Sequence, residues 1–131
     1  RSTLFPYTTL FRSLDNIEAG LVEIRFKDKK IQELCQKQAV AVRKLGDPCA
    51  RKLRARLQDL ESARTVRELP PIGNPHPLKG DRSGEFAINL VGGWRLVFTA
   101  ANDPRPSLSG GATDWTKVTI IRIEEVVDYH D

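Results

Sequence analysis

The chain has 131 residues, 40% of them hydrophobic and 29% charged, with a formal net charge of +4. That length suits one domain with a single core and is too short for two, and the composition is ordinary for a soluble globular protein. No apolar run approaches the roughly 18 residues of a membrane-spanning helix, which excludes a membrane protein of that kind. Cys35 and Cys49 fall in no CxxC or CxxH pattern. They read as small apolar residues of a reducing, cytoplasmic compartment, with neither a disulfide nor a zinc site expected.

Taken in chain order, the first segment stands apart. Residues 1–13, RSTLFPYTTLFRS, repeat Thr-Leu-Phe, hold no acidic residue and follow neither a helical nor a strand period. The whole chain lacks Met, and the segment resembles translated sequencing-adaptor sequence. It is expected to be a non-native tail, disordered or loosely attached, that adds nothing to stability. Residues 14–131 are then the single domain.

Val22 to Phe26 alternates apolar and charged residues and predicts a half-buried strand. Asp28 is placed to cap the next element. Ile31, Leu34, Cys35, Val42 and Leu45 recur at helical spacing, and Gly46 supplies a stop. Asp47-Pro48 reads as an N-cap followed by a proline at the first helical position. Leu53, Leu57 and Leu60 continue as one stripe, so the two helices should form an antiparallel hairpin. Pro70-Pro71 ends any helix. Phe86 to Leu90 and Trp94 to Phe98 are strands joined at Gly92-Gly93, a turn signal of the kind that needs positive φ. Residues 101–113, rich in Pro, Gly and Ser, read as a long loop. Val118 to Val127 supplies the last strand. The expected fold is α+β: an N-terminal strand, a two-helix hairpin, then a mostly antiparallel sheet of three to four strands.

Charge is unevenly spread. Nine Lys/Arg face three Asp/Glu between Lys37 and Arg67, so this stretch could meet phosphates. Arg51 and Arg54 are its candidates, although a solvated helix face is the plainer reading. The chemistry-bearing residues lie later. His76, Lys79 and Arg82 share a Gly/Pro-rich loop, Arg95 interrupts an apolar strand, and Asp128, Tyr129 and His130 stand near the C-terminus. Imidazole, ammonium, guanidinium, phenol and carboxylate together can bind a phosphodiester and move a proton across it. Trp94 and Trp115 read as core or sheet-face aromatics.

The run NPHPLKGDRSGEFAINLVGGWRLVF, followed by VVDYH, resembles the RelE/ParE superfamily of toxins, and within it the HigB-type or plasmid maintenance killer branch. The similarity covers about residues 21–131. The resemblance implies a RelE/ParE-like fold and a cytoplasmic mRNA endoribonuclease, an mRNA interferase, acting in the ribosomal A site beside 16S rRNA. It implies a helix-turn-helix antitoxin of the HigA type as partner, through which the complex binds operator DNA, and no membrane. It also implies a reaction without metal or cofactor: the ribose 2′-OH attacks the adjacent phosphorus, leaving a 2′,3′-cyclic phosphate and a free 5′-hydroxyl.

Carried onto this sequence, the resemblance places Lys79 against the phosphate and His76 beside it, orienting it or sharing proton transfer. Arg95 stabilises the developing charge with its planar fork. His130, with an unperturbed pKa of about 6.5, is a general base or acid. Which of His76 and His130 is base and which is acid stays open. Asp128 would share a strand face with His130 and hold its imidazole; Tyr129 would stack on a base or donate a hydrogen bond. Arg82 is a further phosphate candidate. Two other readings remain: a non-catalytic inhibitor of DNA gyrase of the ParE kind, and an inactive relative of the same fold.

Overall fold

The computed structural model describes residues 20–129. The tail expected at residues 1–13 and the candidate His130 lie outside the described residues.

Strand β1 (Glu23–Phe26) lies where the alternation placed it. Asp28 then caps helix α1 (Lys29–Gln36), its carboxylate accepting from the Ile31 N–H at 2.9 Å. The single helix expected up to Leu45 is two helices. Lys37 adopts extended angles, φ −111° and ψ 109°, and separates α1 from α2 (Gln38–Leu45). Between Cys35 and Val40 the chain offers no buried apolar side chain, so packing does not oppose the break. The Lys37 N–H ends α1 on the Glu33 carbonyl, and its own carbonyl receives the Val40 and Ala41 N–H groups.

Gly46, at φ 86°, stops α2 as expected and is also the N-cap of α3 (Asp47–Ser62). Asp47 is therefore the first helical residue rather than the cap. It makes no cap hydrogen bond and instead pairs with Arg51 one turn on, at 2.9 Å. Among the described residues the expected two-helix hairpin becomes three helices, with α2 and α3 joined at Gly46.

Among the described residues the sheet has five strands, not three to four, in the order β1-β5-β4-β3-β2. The strand the pattern missed is β2 (His76–Pro77), a two-residue strand inside the Gly/Pro loop, paired antiparallel with β3 (Glu85–Asn89). Two prolines hide it from any alternation test. Strand β4 (Trp94–Ala100) returns along β3 after the turn at residues 90–93, where Gly92 has φ 62°. Strand β5 (Ile120–Asp128) pairs antiparallel with β4 and parallel with β1, so the sheet is mixed.

The long connection from 101 to 119 is tied at its base. Asn102 accepts from the Thr119 and Ile120 N–H groups at 3.0 and 3.1 Å and donates to the Thr119 hydroxyl at 2.9 Å. It also returns Trp115 to the core, where its ring lies 4.9 Å from Phe86 and 6.2 Å from Phe98 between centroids.

The helices cover one face of the sheet. Leu53, Leu57 and Leu60 of α3 and Leu34 of α1 form a single apolar cluster with Ile88, Leu96, Phe98, Ile121 and Ile123. This is an α+β layer pair, and among the described residues no helix lies over the second sheet face. No helix among the described residues is long and apolar enough to cross a membrane.

Candidate active site

The second sheet face is built by the residues that alternate with the core. Phe86, Ile88, Leu96 and Phe98 point into the apolar cluster, so Glu85, Ala87, Asn89, Arg95, Val97 and Thr99 lie on the other side. A bulge opposite Val97 and Phe98 inserts Glu124 into β5. It re-phases the strand so that Glu125 lies across from Val97 and Val127 across from Arg95. The Tyr129 N–H donates to the Gly93 carbonyl at 2.8 Å, which extends this pairing by one residue and anchors the tyrosine.

Arg95 stands in the middle of that face, flanked by Asn89 on β3 and Val127 on β5. Its guanidinium carbon is 4.8 Å from the Tyr129 ring centroid, within cation–π range. Among the described residues no ion pair joins Arg95 to a carboxylate. It is a half-buried cation held by an aromatic ring.

Arg82 is the opposite case. It ends the short 3-10 turn Gly80–Arg82, and its guanidinium donates to Glu85, to Glu125 and to the Tyr129 hydroxyl. Those bonds, to Glu85 first and then Glu125, push its pKa above the ordinary arginine value. Its guanidinium carbon lies 5.4 Å from the same tyrosine ring. Tyr129 therefore contacts two guanidinium groups, one saturated with carboxylates and one with none among the described residues. Burial raises the Tyr129 phenol above its ordinary value; Arg82 opposes the rise, and Glu125 and Glu85 add to it. The ring is a neutral phenol at neutral pH.

His76 reaches this face from the sheet edge, across from Ala87. Its Nδ1 lies 2.6 Å from the Asn74 carbonyl oxygen. A carbonyl only accepts, so Nδ1 carries the hydrogen and Nε2 is the lone-pair nitrogen of the neutral ring. The turn that aims this carbonyl uses positive φ at Gly73 (79°) and Asn74 (50°). A Cβ on Gly73 would stand 2.6 Å from the Asn89 carbonyl, so only glycine fits there. Two strand spacings, about 10 Å, separate His76 from β4, with Ala87 of β3 between them. Lys79 is exposed at the head of the 3-10 turn, with no ion pair among the described residues.

The structure thus brings Arg82, Arg95 and Tyr129 into contact and sets His76 on the same face. It does not bring Asp128 there. Asp128 lies across from Trp94 and alternates with buried Val126, which turns it toward the helix layer; its charge helps raise the Cys49 thiol on α3, after the larger effect of burial. Arg51 and Arg54 are exposed on α3, with the whole sheet between them and Arg95. Glu85, Glu125 and Asn89 were not anticipated. Asn89, the neighbour of Arg95, has a buried side-chain oxygen with no hydrogen-bond donor among the described residues. The alternation of β3 already separated Glu85 and Asn89 from the core, but the bulge that brings Glu125 to this face has no mark in the pattern. Among the described residues no three His, Cys, Asp or Glu side chains are placed to hold a metal ion.

No family model matches the chain. Over 48 residues it is 42% identical to a protein named Endoribonuclease HigB from Proteus vulgaris. That stretch is 36% of this chain and 52% of the other, so the chain spans about half the length of the curated relative it matches. Among solved structures it is similar to the YoeB dimer from Staphylococcus aureus, with a TM-score of 0.49 and 18% identity, over 85% of this chain and 98% of that one.

Proposed function

We propose that this chain is the toxin of a toxin–antitoxin pair and cleaves mRNA on the ribosome by transesterification. The observation that carries the reading is Arg95: a half-buried guanidinium, stacked on Tyr129 and free of carboxylates among the described residues, on a polar sheet face. A cation so placed expects an anion, and its planar fork matches two oxygens of one phosphate. The 48-residue likeness to an endoribonuclease supports the same reading.

The chemistry follows from the groups at hand. His76 Nε2 takes the proton of the ribose 2′-OH, and the 2′-oxygen bonds to the adjacent phosphorus. The bond from phosphorus to the 5′-oxygen breaks, and an acid, assigned here to His130, returns a proton to that oxygen. The products are a 2′,3′-cyclic phosphate and a 5′-hydroxyl, with no net change in protons. Arg95 and Lys79 balance the charge that builds on the phosphorane, and a transition-state donor of this kind is worth about 10²–10³ in rate. A helix-turn-helix antitoxin of the HigA type, mRNA and the ribosomal A site with its 16S rRNA are the partners of this reading.

The test is mRNA cleavage in a cell-free translation reaction with the full chain, with and without ribosomes, mapping new 5′ ends by primer extension. Parent protein is expected to give ribosome-dependent cuts that His130→Ala lacks. A folded parent that makes no cuts contradicts the reading and moves the weight to a gyrase inhibitor or an inactive relative. DNA supercoiling by gyrase in the presence of the chain then separates those two.

A further inference from the structure

The three acceptors on Arg82 change what that arginine does. A guanidinium has five N–H donors, and its anion-binding edges are the resource a phosphate needs. Here those edges point to Glu85 on β3, to Glu125 on β5 and to the Tyr129 hydroxyl. Arg82 thus arrives at the site with two carboxylates already in place, whereas Arg95 has none among the described residues. The side chains involved are only partly exposed, 36% for Arg82, 23% for Glu85 and 37% for Glu125. Three different elements are tied through one group: the 3-10 turn, the third strand and the fifth. The tyrosine whose hydroxyl it holds is the ring on which Arg95 rests.

We infer that Glu85 and Glu125 are positioning residues that withhold Arg82 from the RNA and make it the brace of Tyr129. This rests on the ribonuclease reading and deepens it by dividing the two arginines between two tasks. Arg95 meets the phosphate; Arg82 fixes the ring that holds Arg95 in register. The carboxylates also set a limit on affinity, because they neutralise a cation that would otherwise join the polyanion. A site that released Arg82 would bind RNA more tightly and cut it more slowly. A role confined to folding would weaken both together.

The experiment separates those outcomes. The full chain is compared with Glu125→Gln and with the double variant Glu85→Gln/Glu125→Gln, substitutions that keep shape and remove charge. Affinity for a single-stranded RNA oligonucleotide is measured over a range of salt, and cleavage on programmed ribosomes is resolved into kcat and KM. The expected result for the variants is tighter RNA binding, with a salt dependence steeper by about one counterion as Arg82 joins the phosphates. With it, kcat should fall by about 10- to 100-fold, as for a misplaced catalytic group, while KM does not rise. Arg82→Gln should lower kcat without flattening the salt dependence, whereas Arg95→Gln should flatten it by about one counterion. Parent-like kcat in Glu125→Gln, weaker RNA binding by either variant, or a flattened salt dependence in Arg82→Gln would each overturn the assignment. If the double variant does not fold, the single one decides. A parent that binds RNA but cuts nothing overturns the ribonuclease reading itself, and the direction of the affinity change still decides whether the carboxylates withhold Arg82.

Discussion

At the scale of single residues, one ring connects the site. Tyr129 gives its face to Arg95 and its hydroxyl to Arg82, and these two uses can be separated by substitution. Tyr129→Phe keeps the face and loses the hydroxyl. It should leave RNA affinity near the parent value and slow cleavage by about tenfold, the loss of one hydrogen bond to a charged group. Tyr129→Ala, which also removes the surface under Arg95, should lower both; equal effects of the two substitutions would contradict the division. His76 makes a narrower case. Its Nδ1 contact with the Asn74 carbonyl leaves Nε2 free to accept a hydrogen bond, and under the proposed reaction His76→Ala should slow cleavage by about 10²- to 10⁴-fold.

At the scale of elements, the loop that carries His76 depends on one glycine. Gly73 combines φ 79° with contacts that leave no room for a methyl group, and its carbonyl accepts the Asn89 N–H at 2.7 Å. Gly73→Ala should cost about 2 kcal/mol or more in denaturant unfolding. A variant as stable as the parent would show that the edge of β3 adapts.

The same elements show how much could be read in advance. Asp28 as a helix cap, Gly46 as a stop and the paired strands β3 and β4 follow from local chemistry, and the structure places them so. The break at Lys37, the two-residue strand at His76 and the bulge at Glu124 do not, because each is decided by what lies across from it in space. The candidate site divides in the same way. Arg95 was legible as a charge inside an apolar strand. The carboxylates that occupy Arg82 were not, since Glu125 comes from 43 positions away and needs the bulge to arrive. Asp128 and Tyr129 are adjacent in sequence and on opposite faces of the last strand.

For the whole molecule, the two sheet faces differ in what they carry. The helix face carries the apolar cluster, and the other carries Arg82, Arg95, Tyr129 and His76. Two buried thiols lie in the helix layer, and they give this layer a pH signature of its own. Burial pushes Cys35 from 9.0 up to about 12. The folded thiol stays neutral while the unfolded one ionises, so its stabilisation is complete below pH of about 9 and is lost as pH rises toward 12. The full effect is roughly 4 kcal/mol. Cys35→Ala should flatten the alkaline fall in melting temperature, and an unchanged slope would contradict the assignment. In the native protein Cys35 should also resist thiol reagents at neutral pH.

The measurement that bears most directly on the ribonuclease reading is the chemistry of the cut ends. Full-length parent and Arg95→Gln would be added to a translating mRNA, and the 3′ ends of the fragments tested for a 2′,3′-cyclic phosphate. Cyclic ends from the parent, reduced by about 10²-fold or more in Arg95→Gln, are the expected result. Parent-level cleavage by Arg95→Gln, or ends that carry a free 3′-hydroxyl, would contradict it.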